Sequence, residues 1–292
     1  MKSNSSFRLH PSLVPKTRLD RLLHHRGLAS SREQARRLIL AGQVAVGRRP
    51  VVRPGVLVRD DASLEVTSQP RFVSRGGDKL DAALDRFGLD VAGLVCADVG
   101  ASTGGFSDCL LQRGAARVYA IDVGHDLLAD KLRRDPRVVI MENVNARYLE
   151  RLPEPVDLAT VDASFISLKL LLPVVKGWLS PLPAGPWPPE RSEAGEGWGV
   201  RAIVPLIKPQ FEAGRQGVGK GGVVRDPEVQ RRVLLEIVEF AGTLGLGLAG
   251  LMASPVTGPK GNVEFPAWFV AGPGTSNAPA AIEAALREAS SD

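Results

Sequence analysis

Residues 93–124, GLVCADVGASTGGFSDCLLQRGAARVYAIDVG, decide the fold. Leu94 to Val99 is an apolar run with one acid, Asp98, near its end. A turn of small residues follows, Gly100-Ala101-Ser102-Thr103-Gly104-Gly105, and Phe106 to Leu111 then opens a helix. RVYAIDVG is a second apolar run, with Asp122 at its end. Strand, tight turn, helix and strand make a β-α-β unit, which places the chain among α/β proteins with a parallel sheet. The alternation continues. RVVIMENVNARYL supplies a third strand with Asn143 and Asn145 just past it, PVDLATVDASFISLKLLLPVV a fourth ending at Asp162, and RAIVPLIKPQFE a fifth ending at Lys208. Open parallel sheets bind ligands outside the carboxyl ends of their strands, so Asp98, Asp122, Asp162 and Lys208 are expected in one crevice.

The glycine turn narrows the ligand. A dinucleotide fingerprint is G-x-G-x-x-G, and this turn lacks the second of those glycines. A cofactor without phosphate needs no phosphate cradle, and the acid before the turn can meet a cationic amino-acid tail instead. An acid at the end of the second strand commonly binds the ribose hydroxyls of an adenosine cofactor. DVGASTGGF resembles motif I of class I, Rossmann-like S-adenosylmethionine methyltransferases. That resemblance implies S-adenosylmethionine as cofactor, with Asp98, Gly100, Ser102, Thr103, Gly104, Gly105, Phe106 and Asp122 around it and Asn143 and Asn145 at the adenine edge.

SRGGDKL, residues 74–80, puts Lys79 at the start of a helix before the first strand of the sheet, behind two glycines that allow close approach. SPVTGPKGNVEFPAWF puts Glu264 between a Gly-Pro turn and an apolar last strand. Taken singly, Lys79 and Glu264 read as surface charges, Asp162 as a strand-end cap and Lys208 as a loop lysine. Together, at the crevice ends of their elements, they read as catalytic. The order Lys79, Asp162, Lys208, Glu264 resembles the catalytic tetrad of FtsJ-type RNA ribose 2′-O-methyltransferases. The strings RGGDKL, DASFISLK, LIKPQFE, GGVVRD and GPKGNVEF extend the likeness over almost the whole chain, to the TlyA family, often labelled haemolysins. The resemblance implies transfer of a methyl group to a cytidine ribose of ribosomal RNA. Lys208 would activate the hydroxyl, Asp162 would orient it, and Lys79 and Glu264 would position the ribose.

The net charge of +5 is unevenly spread: residues 1–70 carry 13 Lys and Arg against 5 Asp and Glu, and the remainder carries 24 against 27. A basic module on a near-neutral body suggests a polyanion-binding domain. From Thr17, apolar spacing at Leu19, Leu22 and Leu23 predicts one helix stopped by Gly27. Ser30 and Ser31 before Glu33 and Gln34 predict a capped second helix with Ala35, Leu38 and Ile39 inside, and QVAVGRRPVV predicts short strands. Arg18, Arg21, Arg32, Arg36, Arg37, Arg48 and Arg49 lie off the apolar faces, and there are no aromatics here to stack bases. This suits phosphate contacts to structured RNA. The pattern is similar to an S4 RNA-binding domain. In the larger part, Arg215, Lys220 and Arg225 of a basic glycine loop are further candidates for phosphate contact.

The expected organisation is a disordered tail (1–16), a small α+β S4 domain (17–68), an interdomain linker (69–75), a methyltransferase domain (76–275), and a C-terminal helix and tail (276–292). Residues 180–200, rich in Pro, Gly and Glu, read as a mobile insertion. With no long apolar run and no apolar leader, the chain is expected to be cytoplasmic and off the membrane. Its partners are expected to be ribosomal RNA or ribosomal subunits, a monomer is expected, and no metal is expected. Cys96 and Cys109, in apolar runs, are expected as reduced core thiols.

Overall fold

The structure, a computed structural model, describes residues 14–40, 42–47, 49–66, 71–180, 201–219, 221–274 and 276–290, the side chains of 215, 216 and 259 excepted. The expected tail over 1–13, the insertion over 181–200, Arg48, Lys220 and the side chain of Arg215 therefore lie outside the described residues. The chain divides into two units, 1–70 and 71–292.

The first unit runs β1 (Lys16–Arg18), α1 (Leu19–His25), α2 (Arg32–Leu40), β2 (Val44–Val46), β3 (Arg49–Pro50), β4 (Leu57–Arg59) and β5 (Leu64–Val66). Leu19, Leu22 and Leu23 of α1 pack on Ala35 and Ile39 of α2, all buried. Each large side chain so buried contributes about 1.5–3 kcal/mol. The predicted cap forms. The Ser31 hydroxyl accepts from the Gln34 N–H at 3.1 Å, and Gln34 Oε1 accepts from the Ser30 N–H at 2.6 Å. The ordered unit starts earlier than the sequence suggests: Lys16 is in β1, paired with Arg59 of β4, and the Pro15 carbonyl accepts from the Asp60 N–H.

The second unit continues with α3 (Gly76–Phe87), β6 (Val95–Val99), α4 (Gly105–Gln112), β7 (Arg117–Ile121), α5 (Asp130–Arg133), β8 (Val138–Met141), β9 (Leu158–Val161), α6 (Leu168–Trp178), β10 (Ala202–Ile207), α7 (Pro209–Glu212), α8 (Gly214–Gly217), α9 (Pro227–Thr243), β11 (Leu246–Leu251), β12 (Phe265–Ala271) and α10 (Ala278–Ala289). Seven strands form one sheet in the order β11-β12-β10-β9-β6-β7-β8. Only β12 runs antiparallel to its neighbours. β9 and β10 are buried at every residue, as expected of central strands covered by helices on both faces. β6, β9 and β10 are neighbours, so the segments that follow them lie side by side at one edge of the sheet.

Two sequence expectations need correction. Residues 71–75 are not a free linker. Phe72 is buried in the core, with its ring where a Cβ on Gly77 would fall, the Val73 N–H donates to Asp108 Oδ2 at 2.8 Å, and Gln112 holds the Arg71 carbonyl. The last helix, α10, is part of the core and not an appendage. Ile282, Ala285 and Leu286 are buried, and Glu288 bonds Arg86 of α3. Strand β11 is built of LGLAGL, with glycines at 247 and 250. Its glycines answer close contacts: a Cβ on Gly247 would overlap the Gly274 backbone, and one on Gly250 the Phe87 ring. Both cysteines are free and buried, and burial raises both thiol pKa values. Among the described residues, no helix is long and apolar enough to cross a membrane.

Candidate active site

The turn after β6 is shaped by how closely the backbones approach. Gly100 has φ +83°, and a Cβ there would lie 2.9 Å from the carbonyl oxygen of Asp162. A side chain would therefore drive the β6 and β9 ends apart. Gly105 lies against Ser74 and the Gly77 backbone, so the turn also abuts the start of α3. The Asp122 carboxylate accepts from the Ser102 N–H at 2.8 Å and from the Gly124 N–H at 2.7 Å, which ties the end of β7 to the same turn.

Asp98 does not face the crevice. It is fully buried and accepts from the Ser107 N–H and the hydroxyls of Ser107 and Thr160. Burial pushes its carboxyl up to about 7, a rise that the Ser107 hydrogen bonds oppose and the Asp162 charge reinforces. Its work is to pin α4 to the sheet, and so to shape the turn. The acid at a strand end can point either way, and sequence cannot choose between them. Gly104 likewise turns inward against Leu128 and Leu132, and Asn143 is exposed on a left-handed turn whose N–H bonds Gly124.

The four tetrad residues converge as two ion pairs. Lys208 Nζ lies 2.6 Å from Asp162 Oδ1 and also donates to the carbonyls of Asp162 and Ala163 and to the Ser164 hydroxyl. Lys79 Nζ lies 2.6 Å from Glu264 Oε2, and Gln210 donates to Glu264 Oε1. Lys79, Lys208 and Glu264 are 8, 6 and 1% exposed. The Asp162 side chain keeps 23%. Burial raises the Asp162 carboxyl while Lys208 pulls it back, and both Lys79 and Glu264 act on it electrostatically. Each lysine has its own carboxylate, so Lys79 and Glu264 form a pair separate from Lys208 and Asp162.

Two cavities meet here. One, of about 520 Å³, is lined by the tetrad together with Gly100, Ser102, Thr103, Gly105, Phe106, Phe165 and Lys260, among others. The other, of about 490 Å³, is lined by Asp122 and Asn145 and by apolar Val123, Leu127, Val144 and Ile166. Gly100, Ser102, Asp162, Ser164 and Phe165 belong to both, so a ligand spanning the two passes the Lys208–Asp162 pair at the join. Three of the five described non-glycine residues with positive φ, Ser102, Phe165 and Lys260, line the first cavity. Such backbone outliers gather at functional sites. The sequence reading overlooked Ser164, Phe165, Gln210 and Lys260, although all four lie within or beside the strings DASFISLK, LIKPQFE and GPKGNVEF.

In the first unit Arg18, Arg21, Arg32, Arg36, Arg37 and Arg49 are all exposed. The buried Asp20, also unforeseen, orders two of them: Arg18 binds it through two hydrogen bonds and Arg32 reaches it at 3.4 Å. The Arg18 hydrogen bond holds the Asp20 carboxyl below the usual carboxylate range.

Comparison with known proteins agrees with this geometry. A family model described as FtsJ-like methyltransferase matches residues 72–270, and one described as S4 domain matches residues 17–63. The 16S/23S rRNA (cytidine-2′-O)-methyltransferase TlyA of Mycobacterium tuberculosis is 46% identical over 261 residues, covering 88% of this chain and 91% of that protein. Hemolysin A of Brachyspira hyodysenteriae is 39% identical, covering 87% of this chain and 99% of that protein. A solved structure of a protein from Streptococcus thermophilus that carries the hemolysin name superposes with a TM-score of 0.69 at 38% identity, covering 95% of this chain and 97% of that one. An S4 domain followed by an FtsJ-like methyltransferase domain, with relatives this close over this much of its length, makes the chain a member of the TlyA family.

Proposed function

We propose that the chain methylates the 2′-hydroxyl of a cytidine ribose in ribosomal RNA with S-adenosylmethionine, acting as a monomer in the cytoplasm on ribosomal RNA or subunits. The observation that carries this reading is the pair of lysine–carboxylate bridges at the join of two ligand-sized cavities. The donor set of the second cavity fits an adenosine. The Asp122 carboxylate, anchored by two backbone N–H groups, has lone pairs left for ribose hydroxyls, and apolar side chains form walls for a base. Gly100, Ser102, Thr103, Gly105 and Phe106 would line the path of the amino-acid tail. When bound, the cofactor supplies an electrophilic sulfonium methyl.

The chain's own residues do the rest. A ribose hydroxyl is a weak acid and a poor nucleophile. The Lys208 Nζ, aimed by four oxygen neighbours, favours negative charge on the ribose oxygen as its proton passes to solvent, and Asp162 fixes the direction of both. Lys79 and Glu264 close the other side of the cavity and hold the ribose in line with the methyl group. Exposed arginines of the first unit, two of them ordered by Asp20, would grip phosphates without reading bases.

The test is tritium transfer from labelled S-adenosylmethionine to separated ribosomal subunits and naked ribosomal RNA. Label at one alkali-resistant ribose supports the reading. Cofactor binding without transfer to any of these RNAs would leave an RNA-binding role in its place. Phe165 provides a further check. It is 90% exposed at φ +63° on the cavity rim, backed by Phe211 at 4.9 Å between ring centroids. An aromatic ring presented this way is a platform for an unstacked base. Phe165→Ala should therefore weaken RNA binding by about 1–3 kcal/mol, and Phe165→Tyr should preserve it. Filter binding to the substrate RNA measures both, and equal affinity of the Ala variant would remove the platform.

A further inference from the structure

We infer that Lys260 is a substrate-positioning residue that holds a backbone phosphate of the RNA next to the target ribose; this rests on the RNA-methylation reading above. The charges lining the first cavity are Lys79, Glu264, Lys208, Asp162, Arg75 and Lys260. The first four cancel in two bridges. What remains is two exposed cations, neither in an ion pair with any described residue, so the mouth of the cavity attracts anions.

Lys260 has two features that an ordinary surface lysine lacks. Its backbone is left-handed, at φ +62°, in a turn with Gly258 and Gly261 beside it. Glycine would adopt that conformation without cost, so a lysine there points to use of the side chain. The turn is also built rigidly. Asn262, 4% exposed, donates from Nδ2 to the Gly222 carbonyl at 3.0 Å and accepts from the Val224 N–H at 3.1 Å, and its own carbonyl accepts from the Gly258 N–H at 2.8 Å. The loops 221–224 and 258–262 thus form one wall. Lys260 Nζ lies over its bare backbone, 3.8 Å from where a Cβ on Gly222 would fall. A compact ammonium set over glycine backbone at the lip of a cavity that admits a ribose is placed for the phosphodiester that flanks every ribose. The other anion within the same cavity would be the carboxylate of the cofactor's amino-acid tail, and the experiment separates the two.

Full-length Lys260→Gln, Lys260→Arg and Lys260→Gly are compared with the unaltered chain. Equilibrium binding of a ribosomal RNA transcript is followed over a salt series, alongside cofactor affinity by calorimetry and steady-state methyl transfer. In the Gln and Gly variants the slope of log K against log salt should fall by about 0.7–0.9, one phosphate contact, and Arg should restore it. KM for RNA should rise while the loss in kcat stays small, and cofactor affinity should not move. The Gly variant relieves the left-handed backbone, so its melting temperature should equal or exceed that of the unaltered chain, and a shallower slope in it cannot be ascribed to misfolding. An unchanged slope in both the Gln and Gly variants overturns the proposal. So does a loss of cofactor affinity with the slope intact, which would assign the ammonium to the cofactor tail. If the unaltered chain binds RNA and transfers no methyl group, the proposed function fails, yet the slope still decides whether Lys260 meets phosphate.

Discussion

Lys208→Met should lower methyl transfer by about a thousandfold under single-turnover conditions, with RNA binding intact, because it removes the cation paired with Asp162, a residue that lines both cavities. The change also strands Asp162. That carboxylate is partly exposed, so the cost in stability is about 1–3 kcal/mol, below that of a fully buried pair. Adding Asp162→Asn should return most of that stability and none of the activity. The pair of measurements, unfolding free energy and single-turnover rate, separates chemistry from folding. Recovery of transfer in the double variant, or transfer within about tenfold in the single one, would show that Lys208 serves the fold and not the reaction.

Gly100→Ala should weaken S-adenosylmethionine binding by about a hundredfold or more. The added methyl meets backbone, not a flexible side chain: the Asp162 oxygen at 2.9 Å, its carbon at 3.0 Å and the Ala163 Cα at 3.1 Å. The β6 turn or the segment after β9 must move, and both line the two cavities. Gly93→Ala is the control. Gly93 also has positive φ, at +75°, and nothing lies within 4 Å of its Cβ position. It should lose only the roughly 1 kcal/mol of left-handed backbone strain, with cofactor affinity intact. Calorimetry on both variants tests the difference. Equal affinities would mean that the close approach at Gly100 is not what shapes the cofactor site.

Much of the site could be read from residue order because its parts sit at element boundaries, and boundaries are marked locally. Gly100 to Gly105 break one strand and open one helix, Asp162 and Lys208 follow runs too apolar to be anything but buried strands, and Asp226 caps α9 where Pro227 begins it. What escaped was set by packing across long separations. The glycines of β11 are required by the ring of Phe87 and the backbone at Gly274, which are far away in the chain. Residues 71–75 looked like a linker because nothing local shows that Phe72 fills the space left by the missing Cβ of Gly77. Asp20 anchors two arginines only because the fold buries it beside them.

The sequence by itself determined the succession of strands and helices and the residue types at the crevice ends, because hydrophobic period and turn chemistry act over a few residues. Only the tertiary structure decided who pairs with whom. Lys79 meets Glu264 across 185 positions, Lys208 meets Asp162 across 46, and Asp98 turns inward while Asp122 turns to the cavity. Ion pairs and burial depend on distances below about 4 Å, and such distances exist only once the sheet has brought its strand ends together.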